Sequence, residues 1–111
     1  MKKELSATTF NQEVMKNERL SLVKFITHWS GACQILKPVY DELTKCYKGA
    51  VQFFIVDIEK EKKLPAEFGI TEVPSILFFK GGKLIDHAVG LTSKDVLITK
   101  IENALSNHTI K

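Results

Sequence analysis

Two apolar runs, LSLVKFI at residues 20–26 and VQFFIVDI at residues 51–58, restrict what this chain can fold into more than any other feature. Both are rich in β-branched and aromatic residues, so both read as strands, and the second is apolar enough to be buried on both faces. Between them Ile35, Leu36, Val39, Tyr40 and Leu43 follow the 3.6-residue period from Ala32 onward. That pattern predicts a helix running to about Lys48 and stopping at Gly49, with Pro38 kinking it from inside.

The remaining elements alternate in the same way. Ser6 to Lys16 places Phe10, Val14 and Met15 at helical spacing after turn-forming Ser and Thr. The charged stretch from Lys60 to Lys63 reads as a solvated face or linker that leads into a short helix closed by Gly69. SILFF and KLIDHAV, residues 75–79 and 83–89, flank Lys80-Gly81-Gly82, where glycine accepts the positive φ of a tight hairpin. A final helix is predicted from Ser93, its N-cap, to about Leu105, and residues 106–111 read as a loose tail. Helices alternating with strands, then a closing antiparallel hairpin and a helix, define an α/β fold with a mixed sheet of four or five strands covered on both faces.

A chain of 111 residues buries roughly two-thirds of its unfolded surface in one core, so a single domain over residues 1–111 is expected. The net charge of +3 is small and dispersed, which argues against a nucleic-acid partner. MKKELSATTF lacks an apolar stretch after its lysines, and no window approaches a membrane span, so a cytoplasmic, monomeric protein is expected. Cys33 and Cys46 lie 13 residues apart on one helix, about 20 Å of rise against the roughly 4.4–6.8 Å that bridged Cα atoms allow. They cannot pair within the chain. Nor does the spacing of the His and Cys residues suggest a metal site, and no cofactor is implied.

The chemistry concentrates in HWSGACQ, residues 28–34, where a strand gives way to a helix. This turn, Pro38 in the following helix, the FGITEVPSILFFKGGK segment and Gly90 together resemble thioredoxin, over about residues 4–106. The resemblance implies a thioredoxin fold in a thiol–disulfide redox context. By position it matches Ser30 to the family's attacking cysteine, Cys33 to the resolving cysteine, and Pro74 to the cis-proline. It also implies a docking groove for an extended protein or peptide substrate, built from Trp29, Gly31, Ala32, Val73, Pro74 and Gly90, with the Val73 backbone offered to that segment. Trp29 reads as a packed lid over this site.

Two departures stand against the family's chemistry. An alcohol at Ser30 is a far poorer nucleophile toward sulfur than a thiolate, and it needs an adjacent base even for acyl transfer. His28, read as two residues away on a strand, would share a face with Ser30, but no acid is evident to orient it. The second departure is Lys24, where the resemblance implies a buried aspartate that accepts a proton during resolution; Ile55 replaces the lysine that would face it. Three outlets are open to Lys24: reaching water and meeting Asp57 or Glu59, pairing with Cys33, or losing its proton. For Cys33, the helix N-terminus favours negative charge by about 0.3–1 kcal/mol, burial opposes it more strongly, and a neutral, slow thiol is expected unless Lys24 intervenes.

Three functions fit these residues. One is a docking or redox-modulating module without dithiol turnover. Another is a dithiol oxidoreductase whose attacking cysteine has been replaced by an engineered Ser30. The last is a single-cysteine redox enzyme or sensor that uses Cys33.

Overall fold

The computed structural model describes residues 2–106, and the tail from residue 107 onward lies outside them. Five strands form one sheet: β1 (Lys2–Glu4), β2 (Leu20–Ile26), β3 (Val51–Asp57), β4 (Ser75–Lys80) and β5 (Lys83–Val89). Their order across the sheet is β1-β3-β2-β4-β5. The β1/β3 and β2/β3 pairs are parallel, and β2/β4 and β4/β5 are antiparallel. The helices are α1 (Ala7–Phe10), which continues as a π-helical turn over Asn11–Met15, then α2 (Gly31–Cys46), α3 (Lys63–Glu67) and α4 (Lys94–Ser106).

The central strand β2 is buried along its whole length, and its residues serve two cores by turns. Leu20 and Leu22 join Leu36, Tyr40 and Leu43 of α2 and Leu97 and Ile101 of α4 on one face. Val23 and Phe25 join Phe10, Val14 and Leu64 on the other. Strand alternation thus sorts one near-continuous apolar run into two helix-covered layers.

Elements expected from the sequence recur with small shifts. The β4–β5 turn is Gly81-Gly82 at φ +59° and +79°, both in the left-handed region, as a two-residue type I′ hairpin demands. Ser93 Oγ accepts the Val96 N–H at 3.3 Å and opens α4. Helix α2 passes through Pro38 but ends at Cys46 rather than Lys48, with a turn intervening before Gly49. β1 was not anticipated: Lys2-Lys3-Glu4 carries no apolar pattern and becomes strand by pairing with Phe53, Phe54 and Ile55 at the sheet edge. Glu61, expected to be merely solvated, accepts the Ala7, Lys63 and Leu64 N–H groups at 2.9, 2.9 and 3.0 Å and ties α1 to α3. Those bonds, led by the one from Leu64, hold its carboxyl below the usual range.

Candidate functional site

The chain leaves β2 at Ile26 and enters α2 at Gly31, so residues 27–30 make the turn that presents the site. Ser30 is the N-cap of α2, and its hydroxyl accepts the Cys33 N–H at 3.2 Å, satisfying one of the donors that a helix start leaves open. Cys33 lies in the first turn of the helix and is 5% exposed. Gly31 is exposed and Ala32 half-buried beside it. Gln34 Nε2 donates to the His28 carbonyl at 3.1 Å and closes the turn from behind. Trp29 is not a packed lid: it is 73% exposed, with only its indole N–H reaching Glu59 Oε2 at 3.4 Å. Ser30→Ala is expected to cost about 0.5–2 kcal/mol of stability through loss of the cap, while Ser30→Asp keeps an acceptor and stays near the parent; denaturant midpoints report both.

The segment before β4 supplies the other half of the site. The Val73–Pro74 peptide is cis, Pro74 is buried and Val73 half-buried. The Pro74 carbonyl accepts the Gly90 N–H at 2.7 Å, which brings the end of β5 against the proline. Gly90 sits at φ +79°, in the left-handed region, so the backbone angle favours glycine; the atom nearest to a Cβ placed there is Glu72 Oε2 at 2.9 Å, the end of a flexible, exposed side chain that can move aside.

The thioredoxin family model matches residues 1–103. The chain belongs to the thioredoxin family. It is 32% identical over 105 residues to a thioredoxin of Rickettsia felis, a match covering 95% of this chain and 100% of that protein. It is also similar to thioredoxin 1 of a Nostoc species, 31% identical over 102 residues, covering 92% of this chain and 95% of the relative. A thioredoxin of a Synechocystis species is 30% identical over 102 residues, with the same coverage of each chain. Membership places the chain in a family of thiol–disulfide redox chemistry. Among the described residues, no helix is long and apolar enough to cross a membrane.

Within this family fold, Lys24 does not reach water. It is 2% exposed at the middle of β2, beside Ile55 in the parallel register with β3. Its ammonium turns toward α2 and stands 4.3 Å from the centroid of the Tyr40 ring, a cation–π contact. Tyr40 lies seven residues, or two helical turns, beyond Cys33 and so on the same inward face of α2. Its hydroxyl reaches the Leu22 and Phe54 carbonyls at 3.0 and 2.9 Å, joining α2 to both central strands, and burial raises its pKa well above that of an ordinary tyrosine.

His28 and Ser30 do not form a nucleophile–base pair. The strand ends before His28, so the shared-face expectation fails; Ser30 Oγ is committed to the Cys33 N–H. An acid does stand by His28, contrary to the reading of the sequence: Asp57 Oδ2 lies 3.1 Å from His28 Nε2, while Asp57 Oδ1 accepts the Glu59 N–H at 2.9 Å. The residue opposite Ile26 in the β2/β3 register is Asp57, so the pair becomes visible only once that register is known.

Behind the turn lies a cavity of about 100 Å³. Lys24, Ile26 and Ile55 line it from the sheet, Thr27 and His28 from the turn, and Cys33, Gln34 and Lys37 from α2. Both cysteines are free, Cys33 at the start of α2 and the exposed Cys46 at its end.

Proposed function

We propose that this protein is a redox-modulating docking module of the thioredoxin family, without dithiol–disulfide turnover. It binds extended protein segments along Trp29, Gly31, Ala32, Val73, Pro74 and Gly90, with the Val73 backbone as the edge that the segment pairs against. It acts as a cytoplasmic monomer and a single domain, on protein segments rather than nucleic acid or membranes. One observation carries the reading. The hydroxyl of Ser30 caps α2 where an attacking thiolate would stand, and the other free cysteine, Cys46, sits at the far end of the helix. Attack on a disulfide followed by resolution needs two thiols that can reach each other, and Cys33 alone can only form or accept a bond.

The test is a protein-disulfide reduction assay alongside a titration of the isotope-labelled protein with an extended cysteine-containing peptide. Reduction at the uncatalysed rate is expected, together with amide shifts at Val73 and Gly90 and at the Trp29 indole. Turnover by the parent chain, or shifts that leave these three residues unmoved, would overturn the proposal.

A further inference from the structure

The two edges of the sheet are built differently. Strand β1 has three residues, too few to template a neighbouring strand. Strand β5 has seven and carries the exposed Leu84, Ile85 and Val89, the composition of an edge that pairs with an extended chain that meets it. One bond fixes where its free backbone groups point. The Gly90 N–H reaches the Pro74 carbonyl, so strand alternation turns the backbone of Asp86 and Ala88 toward β4 and that of His87 and Val89 to the open side.

The donor in the middle of that open side is already taken. Asp86 Oδ1 accepts the His87 N–H at 2.7 Å, a local side-chain bond that competes directly with a ladder bond to another strand. Lys100 of α4 holds the same carboxylate, its ammonium 3.2 Å from Oδ1 and 3.4 Å from Oδ2. Asp86 also adjoins a bulge: β4 pairs Phe78 with Asp86 and then Phe79 with Leu84, which leaves Ile85 without an opposite residue. Bulges bend an edge strand and re-aim its side chains, and the residue beside this one turns onto the backbone of its own strand.

We propose that Asp86 is a gate on the β5 edge: it occupies the His87 N–H and so keeps a second copy of this chain from pairing there. The inference goes beyond the docking reading and does not rest on it, since Asp86, His87 and Lys100 lie outside the groove. A second copy is the occupant because the strand is complementary to itself. About a two-fold axis through Ala88, His87 stands opposite Val89 of the second copy, Asp86 opposite Gly90 and Ile85 opposite Leu91. No like charges oppose one another in that ladder, and large apolar residues meet each other at its ends. Each His87 N–H then donates to a Val89 carbonyl and each Val89 N–H to a His87 carbonyl, so half of the ladder bonds need the donor that Asp86 holds. With the gate closed, the incoming carbonyl meets a carboxylate instead of a free N–H.

The test compares the full chain with Asp86→Ala and Asp86→Asn by sedimentation equilibrium, under a reductant so that the exposed Cys46 forms no disulfide-linked dimer. Asp86→Ala has no acceptor for the His87 N–H. It is expected to associate about 25-fold more tightly than the parent, a factor of about five for each of the two freed donors, and to show a dimer near about 1 mM, where the parent stays monomeric. Asp86→Asn keeps a side-chain oxygen within reach of that N–H and is expected to sediment as the parent does. Hydrogen exchange locates the contact: in Asp86→Ala the His87 and Val89 amides should slow as the concentration rises. Far-ultraviolet circular dichroism checks folding, and Asp86→Val, a better strand former that also lacks an acceptor, replaces Asp86→Ala if that variant does not fold. Acceptor-free variants as monomeric as the parent, a dimer that leaves those two amides unprotected, or equal dimerisation by Asp86→Asn would each overturn the proposal. Disulfide turnover by the parent would sink the proposed function while leaving this equilibrium unaffected, so the two can fail separately.

Discussion

Tyr40→Leu is expected to destabilise the protein by about 3–5 kcal/mol, read as a fall in the denaturant midpoint at constant slope. Three losses add to that figure. The ring lies under the buried Lys24 ammonium at 4.3 Å, a contact worth about 2 kcal/mol when desolvated. It meets Phe53 edge-on with centroids 5.4 Å apart, worth about 0.5–1.5 kcal/mol. Its hydroxyl bonds to carbonyls of β2 and β3, worth a further ~0.5–1.5 kcal/mol net. Tyr40→Phe removes only the last of these and is expected to cost about 1 kcal/mol. The decisive comparison is a double-mutant cycle with Lys24→Met, which should show the two single losses overlapping by about 1–2 kcal/mol. Strictly additive losses would mean that ring and ammonium do not act on each other.

The second large effect concerns turnover. Ser30→Cys is expected to leave disulfide reduction about a hundredfold or more below that of Ser30→Cys/Lys24→Asp, because proton transfer by a positioned side chain contributes roughly 10²–10⁴-fold. The single variant has the two thiols but a lysine where the family resemblance implies the proton acceptor; the double variant regains both. Lys24→Asp alone should remain inactive, having only one thiol near the turn. Full activity in Ser30→Cys would show that Lys24 is no obstacle, and would favour the reading of Ser30 as a replacement for a cysteine.

How much of this could be read in advance depended on whether the deciding interaction was local. The β2 run, the Gly81-Gly82 hairpin and the Ser93 cap are short-range patterns, and their residues carry the signal themselves. Strand β1 does not, since Lys2-Lys3-Glu4 is a strand only because the β3 edge lies open to it. The His28–Asp57 pair likewise waits on register, since the two residues are 29 apart in sequence and meet only when Ile26 and Asp57 align. For Lys24 the available clue was Tyr40, two turns beyond Cys33 and on the inward face of α2, above the strand that carries the lysine. The cavity had no sequence signature: it is a gap left by side chains that each look ordinary alone.

The sheet order has a consequence for how quickly the chain can find this arrangement. The β4–β5 hairpin closes a two-residue loop, an event on the scale of about 1–10 μs, yet an isolated hairpin is at best marginally stable in water. Strand β2 sits between β3 and β4, and each of those pairings must first draw together residues separated by whole elements, α2 in one case and α2, β3 and α3 in the other. The chain entropy of those closures comes due before any contact along β2 repays it, which makes the central strand the slow step and the hairpin an early structure that waits for it. Lys24 travels with β2, so the same step that sets the folding rate also carries an ammonium group out of water.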